Sequence, residues 1–549
     1  MKYRKALLYA VLTLGVGVVL GFEIAAWRSD DGAYASMQKI RDAFLLIENN
    51  YVEEIDSSVL AEAGLENMVG ALDPHSVYIS KERMESVSES FEASFEGIGI
   101  SYEFVEGPDE RDTIAVMNVL HGGPSEEAGL QSGDRIIAVD DSSAVGFSKS
   151  DVQHALRGPR GTQVGVTVRR PIISDTLHFT ITRDKIPLRT LDAAYMVGEK
   201  TGYVKLNRFA RTTHQEFTRA VRELKKKGME RITLDLQGNS GGFMRMAVKV
   251  ADEFLSGGQT IVSARGRHER FSHVSKSDDG GALEDMPVIV LVDEQSASAS
   301  EIVAGALQDH DRGLIVGRRT FGKGLVQKQY KLNDGSAVRV TISRFYTPSG
   351  RLIQTPYDRG SDEDYFETKA ERHRRDAVRS ADAIIESAPD SFRYATEAGR
   401  TVLGGGGILP DFVVAPDSLS PFARTARGNN LFTRFARRWL DRHGTSLRET
   451  WPDKERFVSG FESRKLFDPF LEFASGTGLR LTNEPDSSKN SSWRAKVRES
   501  REQIETLLKA HLGRRLYGSE GWYPVFNTIN STYQEALGMW KRAEKLASS

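Results

Sequence analysis

The sequence predicts a multidomain α/β protein, because helical, strand-rich and alternating segments follow one another along its 549 residues. A chain of this length usually divides into about three or four structural units. Apolar residues recur at helical spacing over residues 33–94, and short strands separated by turns occupy 95–185. Strands then alternate with helices over 186–417, and helical spacing returns over 418–549. We therefore expect a small β-rich domain and an α/β core between two helical regions.

The first residues predict an export segment. Lys2, Arg4 and Lys5 precede an apolar run over residues 6–22. A basic start before an apolar core is typical of an export signal, and the run is near the lower limit of about 17 residues for crossing a bilayer. Basic residues keep their side of such a segment in the cytoplasm. We expect residues 1–28 to be an uncleaved membrane anchor, with secretion after signal cleavage as the alternative.

The composition excludes several classes of function. The chain has no cysteine, which rules out disulfides, thiolate metal sites and a cysteine nucleophile. Its 74 basic and 76 acidic residues give a net charge of −2, which offers no support for nucleic-acid binding. No HExxH motif occurs, and the 11 histidines show no metal-ligand spacing. We expect no metal, no other cofactor and no nucleic-acid partner.

A run of small residues is the densest chemical signal. Residues 296–301 read Ser-Ala-Ser-Ala-Ser-Glu and lie between an apolar strand at 287–292 and a helix from about 298 to 308. A serine at a helix N-terminus lies beside free backbone N–H groups and a favourable dipole, which suits a developing oxyanion. The same pattern is also ordinary helix capping, since serine is a preferred N-cap residue. The run by itself leaves both interpretations open.

A lysine between two glycines is the second signal. Lys323 lies in the segment Thr-Phe-Gly-Lys-Gly-Leu-Val-Gln at 320–327. It is a solvated loop residue unless burial lowers its pKa, in which case a neutral lysine can be the general base of a serine. Gln327 is placed to orient the amine. Residues 317–323 also begin like a phosphate-binding loop, but Gly324 stands where that loop needs Ser or Thr.

Two glycine-containing turns supply candidate backbone donors. Residues 234–242 run from a strand into the turn Gly-Asn-Ser-Gly-Gly, which is either half of an oxyanion hole or simply a tight turn. The loop Gly97-Ile98-Gly99-Ile100 enters another strand. A loop of this kind can present N–H groups to a terminal carboxylate, and the bound peptide then adds as an extra strand.

These segments, in this order, resemble the C-terminal processing (tail-specific) peptidase family, which are serine proteases with a Ser/Lys dyad and a PDZ domain. The similarity covers roughly residues 44–417 and implies a small barrel-like PDZ domain with helices at 95–185 and a protease core at 186–417. It rests on the segment LDPHS at 72–76, on GIGI and AGLQSGDRI within 97–184, and on the segments at 296–301, 320–327 and 405–411 (GGGILPD).

The resemblance assigns roles to individual residues. Ser298 would be the nucleophile, Lys323 the general base 25 positions later, as in the family, and Gln327 the group that orients the lysine. The loop at 97–100 would bind the substrate carboxylate. One departure concerns Gln237, which stands where the family usually has Arg before the glycine turn. The oxyanion hole would use the backbone N–H groups of Ala299 and of a glycine of the turn, Gly241 or Gly242.

The predicted function is that of a serine endopeptidase that captures protein substrates by their free C-terminal tails and then hydrolyses peptide bonds. Export places it in a bacterial cell envelope, anchored in the inner membrane with its catalytic part in the periplasm or otherwise outside the cytoplasm. The partners would be protein or peptide substrates and the membrane, and an adaptor protein or a second copy of the chain stays open.

Two alternatives belong to other classes of function. A non-catalytic, membrane-tethered PDZ adaptor on a protease-like scaffold is disfavoured because Ser298, Lys323 and Gln327 are all present. A nucleotide hydrolase is disfavoured by Gly324.

Two further segments are interpreted by their composition. The polar stretch at 358–382 is interpreted as a surface insertion. The extension over 418–549 is interpreted as a helical domain for packing or partner binding.

Overall fold

The computed structural model describes residues 31–106, 112–120, 122–171, 173, 175–357, 362–417, 419–477 and 497–547. The predicted membrane anchor at 1–28 lies outside these ranges. Within them, no helix is both long enough and apolar enough to cross a membrane. The chain divides into two units, one formed by residues 1–81 and 329–340 and the other by 82–328 and 341–549.

The smaller unit contains helices and a short strand pair. Its elements are α1 (Asp31–Asn50), α2 (Ser57–Gly70) and β1 (Val77–Ile79). β1 pairs antiparallel with residues 337–339. Between α2 and β1, the Asp73 carboxylate accepts hydrogen bonds from the N–H groups of His75 and Ser76. This side chain therefore fixes the turn that the sequence predicted as a break in the helix.

The β-rich domain of the larger unit has its own hydrophobic core. Ile114, Ile136, Val152, Val166 and Ile181 are buried in it. The sheet has the strand order β3-β4-β5-β7-β8, with β6 on β5, and β2 pairs with β9 where the chain enters and leaves the domain. The elements are α3 (Lys81–Glu92), β2 (Ser94–Gly97), β3 (Ile100–Glu106), β4 (Asp112–Val119), α4 (Pro124–Ala128), β5 (Arg135–Val139), β6 (Ser142–Ser143), α5 (Lys149–Leu156), β7 (Gln163–Arg169), β8 (Thr176–Thr182) and β9 (Asp184–Pro187).

The α/β core is built on a six-stranded sheet with the order β10-β11-β12-β15-β16-β21. β10 is antiparallel to β11, and the other pairs are parallel. Its elements are β10 (Leu191–Val197), β11 (Thr201–Leu206), α6 (Thr213–Lys226), β12 (Arg231–Asp235), α7 (Met244–Asp252), β13 (Thr260–Gly266), β14 (His273–Lys276), β15 (Val288–Val292), α8 (Ala299–Asp309), β16 (Leu314–Gly317), β17 (Leu325–Lys331), β18 (Ala337–Tyr346) and, after an insertion, β21 (Phe412–Val413). Residues 263–266 of β13 pair with 343–346 of β18.

Both faces of this sheet are covered, which explains the continuous apolar sequence of β15. Val288 and Val290 point into a cluster with α6, α7 and α8, whereas Ile289 and Leu291 pack in a second cluster with the C-terminal helices. Alternate residues of a strand point to opposite faces, so a strand buried on both sides has no polar positions. The prediction of a two-sided buried strand is confirmed.

The remaining elements lie in the insertion and in the C-terminal extension. The insertion contains α9 (Asp362–Asp376), α10 (Ala381–Ser387), β19 (Arg393–Ala395) and β20 (Thr401–Leu403). The extension contains α11 (Pro421–Gly428), α12 (Leu431–Thr450), α13 (Lys454–Gly460), α14 (Arg464–Gly476), α15 (Arg501–Tyr517), α16 (Ser519–Phe526), α17 (Ser531–Leu537) and α18 (Trp540–Ala547). Helices α11 to α15 share an aromatic core around Phe432, Phe457 and Phe470, and α17 and α18 cover the second face of the protease sheet.

Candidate active site

Ser298 lies at the sharp turn between β15 and α8. Its backbone φ is +52°, which is uncommon for a residue with a side chain and which proteins retain mainly at functional sites. The hydroxyls of the two neighbouring serines are buried and make structural hydrogen bonds. Ser296 donates to the Leu236 carbonyl at 2.8 Å, and Ser300 donates to the Asn239 carbonyl at 2.8 Å. Ser298 stays partly exposed at the start of α8, so it is the serine of this run that a substrate can reach.

Lys323 and Gln327 are in direct contact. The Lys323 Nζ donates to the Gln327 Oε1 at 2.9 Å, and both side chains are partly buried. Gln327 belongs to β17, which begins two positions after Lys323. Because a strand and not a helix follows the lysine, the segment from Gly317 lacks the architecture of a phosphate-binding loop.

A buried carboxylate joins the serine segment to the lysine segment. Glu301 Oε2 accepts from the main-chain N–H groups of Ser298 at 2.7 Å and of Lys323 at 2.9 Å. Its Oε1 accepts from the Gly322 N–H at 2.7 Å and from the Thr320 hydroxyl at 2.6 Å. Burial raises the pKa of Glu301, and the four donors oppose that shift because they favour the ionised form. Sequence reasoning gave Glu301 no role, although a Glu three positions after an N-terminal Ser is a recognisable capping pattern.

The glycine turn lies against Ser298. A Cβ on Gly241 would come within 2.9 Å of the Ser298 Cβ and 3.0 Å of the Ala299 nitrogen, so only glycine fits here. In this conformation the Gly241 N–H donates to the Asn239 side-chain oxygen at 2.9 Å. Across the described residues, no hydrogen bond uses the N–H groups of Ala299 or Gly242. Of the three predicted oxyanion donors, these two have N–H groups free to face a ligand.

The predicted carboxylate loop belongs to the β-rich domain, whose core is separate from the one that holds α8. The carbonyls of Ile98 and Gly99 accept from the N–H groups of Ser125 and Leu120. Gly99 has φ +77°, and a Cβ there would lie 3.1 Å from the Ile186 side chain. The loop conformation is therefore fixed through its carbonyls, while β3 continues from it.

Helix α9 was interpreted as part of a surface insertion, and the structure corrects this for one of its faces. Asp376 accepts from Arg319 at 2.7 Å, the His373 Nε2 donates to the Thr320 carbonyl at 3.2 Å, and the Lys369 Nζ lies over the Phe321 ring. These contacts hold the segment that leads to Lys323. Burial lowers the pKa of Lys369 to about 6, with the Glu301 carboxylate opposing the shift.

The buried face of α9 is missed by hydropathy because it is polar. Its members recur at helical spacing and are Tyr365, Lys369, Arg372, His373 and Asp376. The helical spacing of these residues could have indicated a buried face.

No group of His, Asp and Glu among the residues with a described position could hold a metal ion.

Comparison with family models agrees with this architecture. Residues 200–365 match peptidase family S41, and 116–170 match the PDZ domain. Residues 24–83 match the activating protease CtpB N-terminal domain. Residues 422–518 match a family of unknown function, DUF8443.

Three curated relatives are similar to this chain over 60–64% of its length. Carboxy-terminal processing protease CtpB of Bacillus subtilis (strain 168) is 34% identical over 336 residues, which are 60% of this chain and 68% of that protein. The carboxy-terminal-processing protease of Bartonella bacilliformis is 32% identical over 356 residues, which are 64% of this chain and 80% of that protein. A probable CtpA-like serine protease of Staphylococcus aureus (strain N315) is 33% identical over 348 residues, covering 63% and 68%.

Proposed function

Because this chain belongs to the carboxy-terminal processing proteases of peptidase family S41, we propose that Ser298 is its nucleophile, Lys323 its general base and Gln327 the orienting group. The chain is a serine-type peptidase with a PDZ domain, and it acts on peptide or protein substrates. The observation that carries the assignment is the Glu301 carboxylate, which binds the main chain of Ser298 and of Lys323 at once.

The proposed reaction is acyl transfer in two steps. The neutral Lys323 amine takes the proton of the Ser298 hydroxyl as its oxygen attacks the substrate carbonyl carbon. The N–H groups of Ala299 and Gly242 stabilise the oxyanion, and Gly241 joins them where its bond to Asn239 is released. The Lys323 ammonium then protonates the leaving amine, and water hydrolyses the acyl-enzyme by the reverse proton transfers. Lysine is competent as a base only when neutral.

Tail capture is proposed for the loop at 97–100. Support comes from the hydrogen bonds of this loop. The Ile98 and Gly99 carbonyls accept from the N–H groups of Ser125 and Leu120. Within the described ranges, no hydrogen bond uses the N–H groups of Ile98 and Gly99 themselves. A terminal carboxylate would accept from these groups, and the peptide would pair with β3.

The substitution Gly99→Val tests tail capture, because it strains the loop at φ +77°. We expect it to raise KM for tailed proteins and to leave cleavage of short peptides unchanged; equal losses on both would contradict tail capture.

We further propose that residues 1–28 anchor the protein in the inner membrane of a bacterial envelope, with the catalytic part outside the cytoplasm. The basic start and the apolar run support this location.

A second copy or an adaptor protein is proposed as a partner of α1. Its support is a series of exposed apolar side chains on this helix, Tyr34, Met37, Ile40, Leu46 and Ile47.

The decisive experiment is cleavage of an unfolded protein with an apolar C-terminus by the detergent-solubilised full chain. Ser298→Ala and Lys323→Ala should each abolish cleavage. Ser446→Ala is the control, because its exposed hydroxyl donates to the His443 carbonyl within α12, and it should retain cleavage. Equal cleavage by all variants would refute the dyad, and inactivity of the unmodified protein would favour the adaptor interpretation.

A further inference from the structure

Gln237 starts the glycine turn. Its N–H donates to the Asp235 carboxylate at 2.8 Å, and its carbonyl accepts from the Lys205 ammonium. The next residue, Gly238, donates its N–H to Asp293 at 2.8 Å. Main-chain groups of the turn are thus held by charged partners from the sheet.

The side chain of Gln237 accepts a hydrogen bond from the C-terminal extension. The Asn530 Nδ2 donates to the Gln237 Oε1 at 3.1 Å. Asn530 belongs to the C-terminal extension, is 6% exposed, and caps α17 by accepting from the Tyr533 N–H at 3.2 Å. The Tyr533 ring packs edge-on against Tyr203, with 5.5 Å between the ring centroids. The donor to Gln237 therefore sits on a helix that is itself packed on the sheet.

Tyr203 is also connected to the same turn, through the Asp235 carboxylate. The Tyr203 hydroxyl donates to the Asp235 carboxylate at 2.6 Å, and Lys205 pairs with the other oxygen of that carboxylate at 3.0 Å. Lys205 and Asp235 are almost fully buried. A buried ion pair with every oxygen engaged has a single arrangement, so it fixes the end of β12 from which the turn departs.

The other end of the turn touches the reacting residue. With Gly241 packed against the Ser298 Cβ and the Ala299 nitrogen, the two faces of the oxyanion hole are in van der Waals contact. Stabilisation of an oxyanion depends on donors at about 2.7–3.1 Å from the developing charge. A shift of a few tenths of an ångström at Gln237 therefore changes the donor geometry at Ser298.

We propose that Asn530 is a positioning residue for the oxyanion turn and that the C-terminal extension is in this way part of the catalytic apparatus. The inference rests on the proposed roles of Ser298 and of the glycine turn. Asn530 touches neither the substrate nor the reacting atoms. It holds the Gln237 side chain, and Gln237 starts the turn.

The test removes the amide donor and leaves the helix cap intact. Asn530→Ser keeps a good N-cap residue for α17 but its hydroxyl is too short to reach Gln237. Asn530→Asp is the rescue variant, because the Gln237 amide can rotate and donate to the new carboxylate. Tyr517→Phe is the matched control: Tyr517 lies in the same extension and donates its hydroxyl to the Trp451 carbonyl within the aromatic core, away from the turn.

Each variant is compared with the full chain by kcat, KM, Tm and affinity for a peptide boronate, which forms a tetrahedral adduct with a serine. We expect Asn530→Ser to lower kcat and boronate affinity by about tenfold with KM unchanged, as for coupled neighbours. Asn530→Asp should restore most of both. Tyr517→Phe should lower Tm without changing kcat. Gln237→Ala should lower kcat as Asn530→Ser does, and the double variant should be no worse than either.

Two outcomes overturn the inference. One is an unchanged kcat in Asn530→Ser, and the other is an equal loss of kcat in Asn530→Ser and Tyr517→Phe, which would indicate general loosening of the extension. Ser298→Ala separates this failure from failure of the proposed function. If Ser298→Ala is inactive and Asn530→Ser is fully active, only the inference falls; if Ser298→Ala is active, both fall.

Discussion

The C-terminal extension meets the protease sheet and the PDZ domain through surfaces of opposite character. Against the sheet, α17 and α18 place Tyr533 and Trp540 in one apolar cluster with Ile289, Leu291 and Val316. All of these side chains are buried, and the strands beneath them carry the active-site turns. Contact of this kind resembles a domain core, so we expect it to persist as long as the protein is folded.

The contact with the PDZ domain consists of charges. The Arg515 Nη2 lies 2.6 Å from the Glu103 Oε1, and Arg437 approaches the same carboxylate at 3.5 Å. Arg135 of the PDZ domain pairs with Asp441 of α12 at 2.7 Å. Glu103 lies on β3, the strand proposed to receive the substrate tail.

The difference predicts which contact can move. Burial of apolar area is non-directional and costly to undo, whereas a partly exposed ion pair such as Arg135–Asp441 contributes little and is screened by salt. The nearly buried Arg515–Glu103 pair depends on a defined geometry and costs more to break. We expect the extension to stay fixed on the protease core while the PDZ domain is held in a specific but releasable orientation. Each of the following experiments breaks one side of this comparison.

Trp540→Ala should have the largest effect on stability. The indole fills the apolar cluster and also lies under the Arg231 guanidinium at 4.5 Å, so its loss leaves a cavity against the sheet. We expect the free energy of unfolding to fall by about 3–5 kcal/mol, measured from urea unfolding of the full chain. The exposed neighbour Lys541→Ala should stay within about 0.5 kcal/mol. A loss in Trp540→Ala no larger than in Lys541→Ala would show that α18 is a removable appendage.

Arg515→Met should have a smaller and more local effect. It removes a nearly buried partner of Glu103, and the more distant Arg437 remains. We expect the PDZ contact to weaken by about 2 kcal/mol, seen as faster hydrogen exchange in β3 and α12 and not in β15. Arg514→Met, one position earlier and exposed, is the control and should leave exchange unchanged. Faster exchange in β15 as well would contradict the separation of the two contacts.

Local motifs account for what the sequence could predict in this molecule. The apolar run of β15, the serine run and the Lys323–Gln327 pair are short-range patterns, and the structure has the strand, the turn and the contact at those places. The Asn530–Gln237 bond joins positions 293 residues apart, and neither amide is unusual in its own segment. The buried face of α9 escaped notice because hydropathy gives no signal for a helix that buries lysine, arginine and histidine.

Mild acid should weaken the extension through His511. Its ring stacks on Phe432 with 5.7 Å between centroids, and burial, with help from nearby arginines, lowers its pKa to about 3. The unfolded chain has a histidine pKa of about 6.5, so below that pH it binds a proton that the folded state excludes. The free energy of unfolding should therefore fall as pH falls from about 6.5 towards 3, by at most about 1.4 kcal/mol per unit.

The measurement is urea unfolding at neutral pH and at about pH 5.5, one unit below the unfolded pKa. His511→Phe keeps an aromatic ring on Phe432 and removes the titrating group, so its unfolding free energy should change less between the two conditions. An identical pH dependence in both proteins would mean that His511 is protonated in the folded state and that carboxylates elsewhere cause the loss.

Salt should have the smallest effect and should act on one contact only. The Arg135 and Asp441 side chains remain 16% and 23% exposed, so ions can reach their pair. The Debye length shrinks from about 10 Å at 0.1 M to about 3 Å at 1 M salt, and we expect the PDZ contact to weaken by about 0.2–1 kcal/mol over that range. Hydrogen exchange should rise in β3 and α12 with added KCl but not in α18, and the rise should be smaller in Arg515→Met, in which one pair is already absent. If exchange in α18 rose in parallel, the apolar cluster would owe part of its stability to charge and the two surfaces would differ less than their composition indicates.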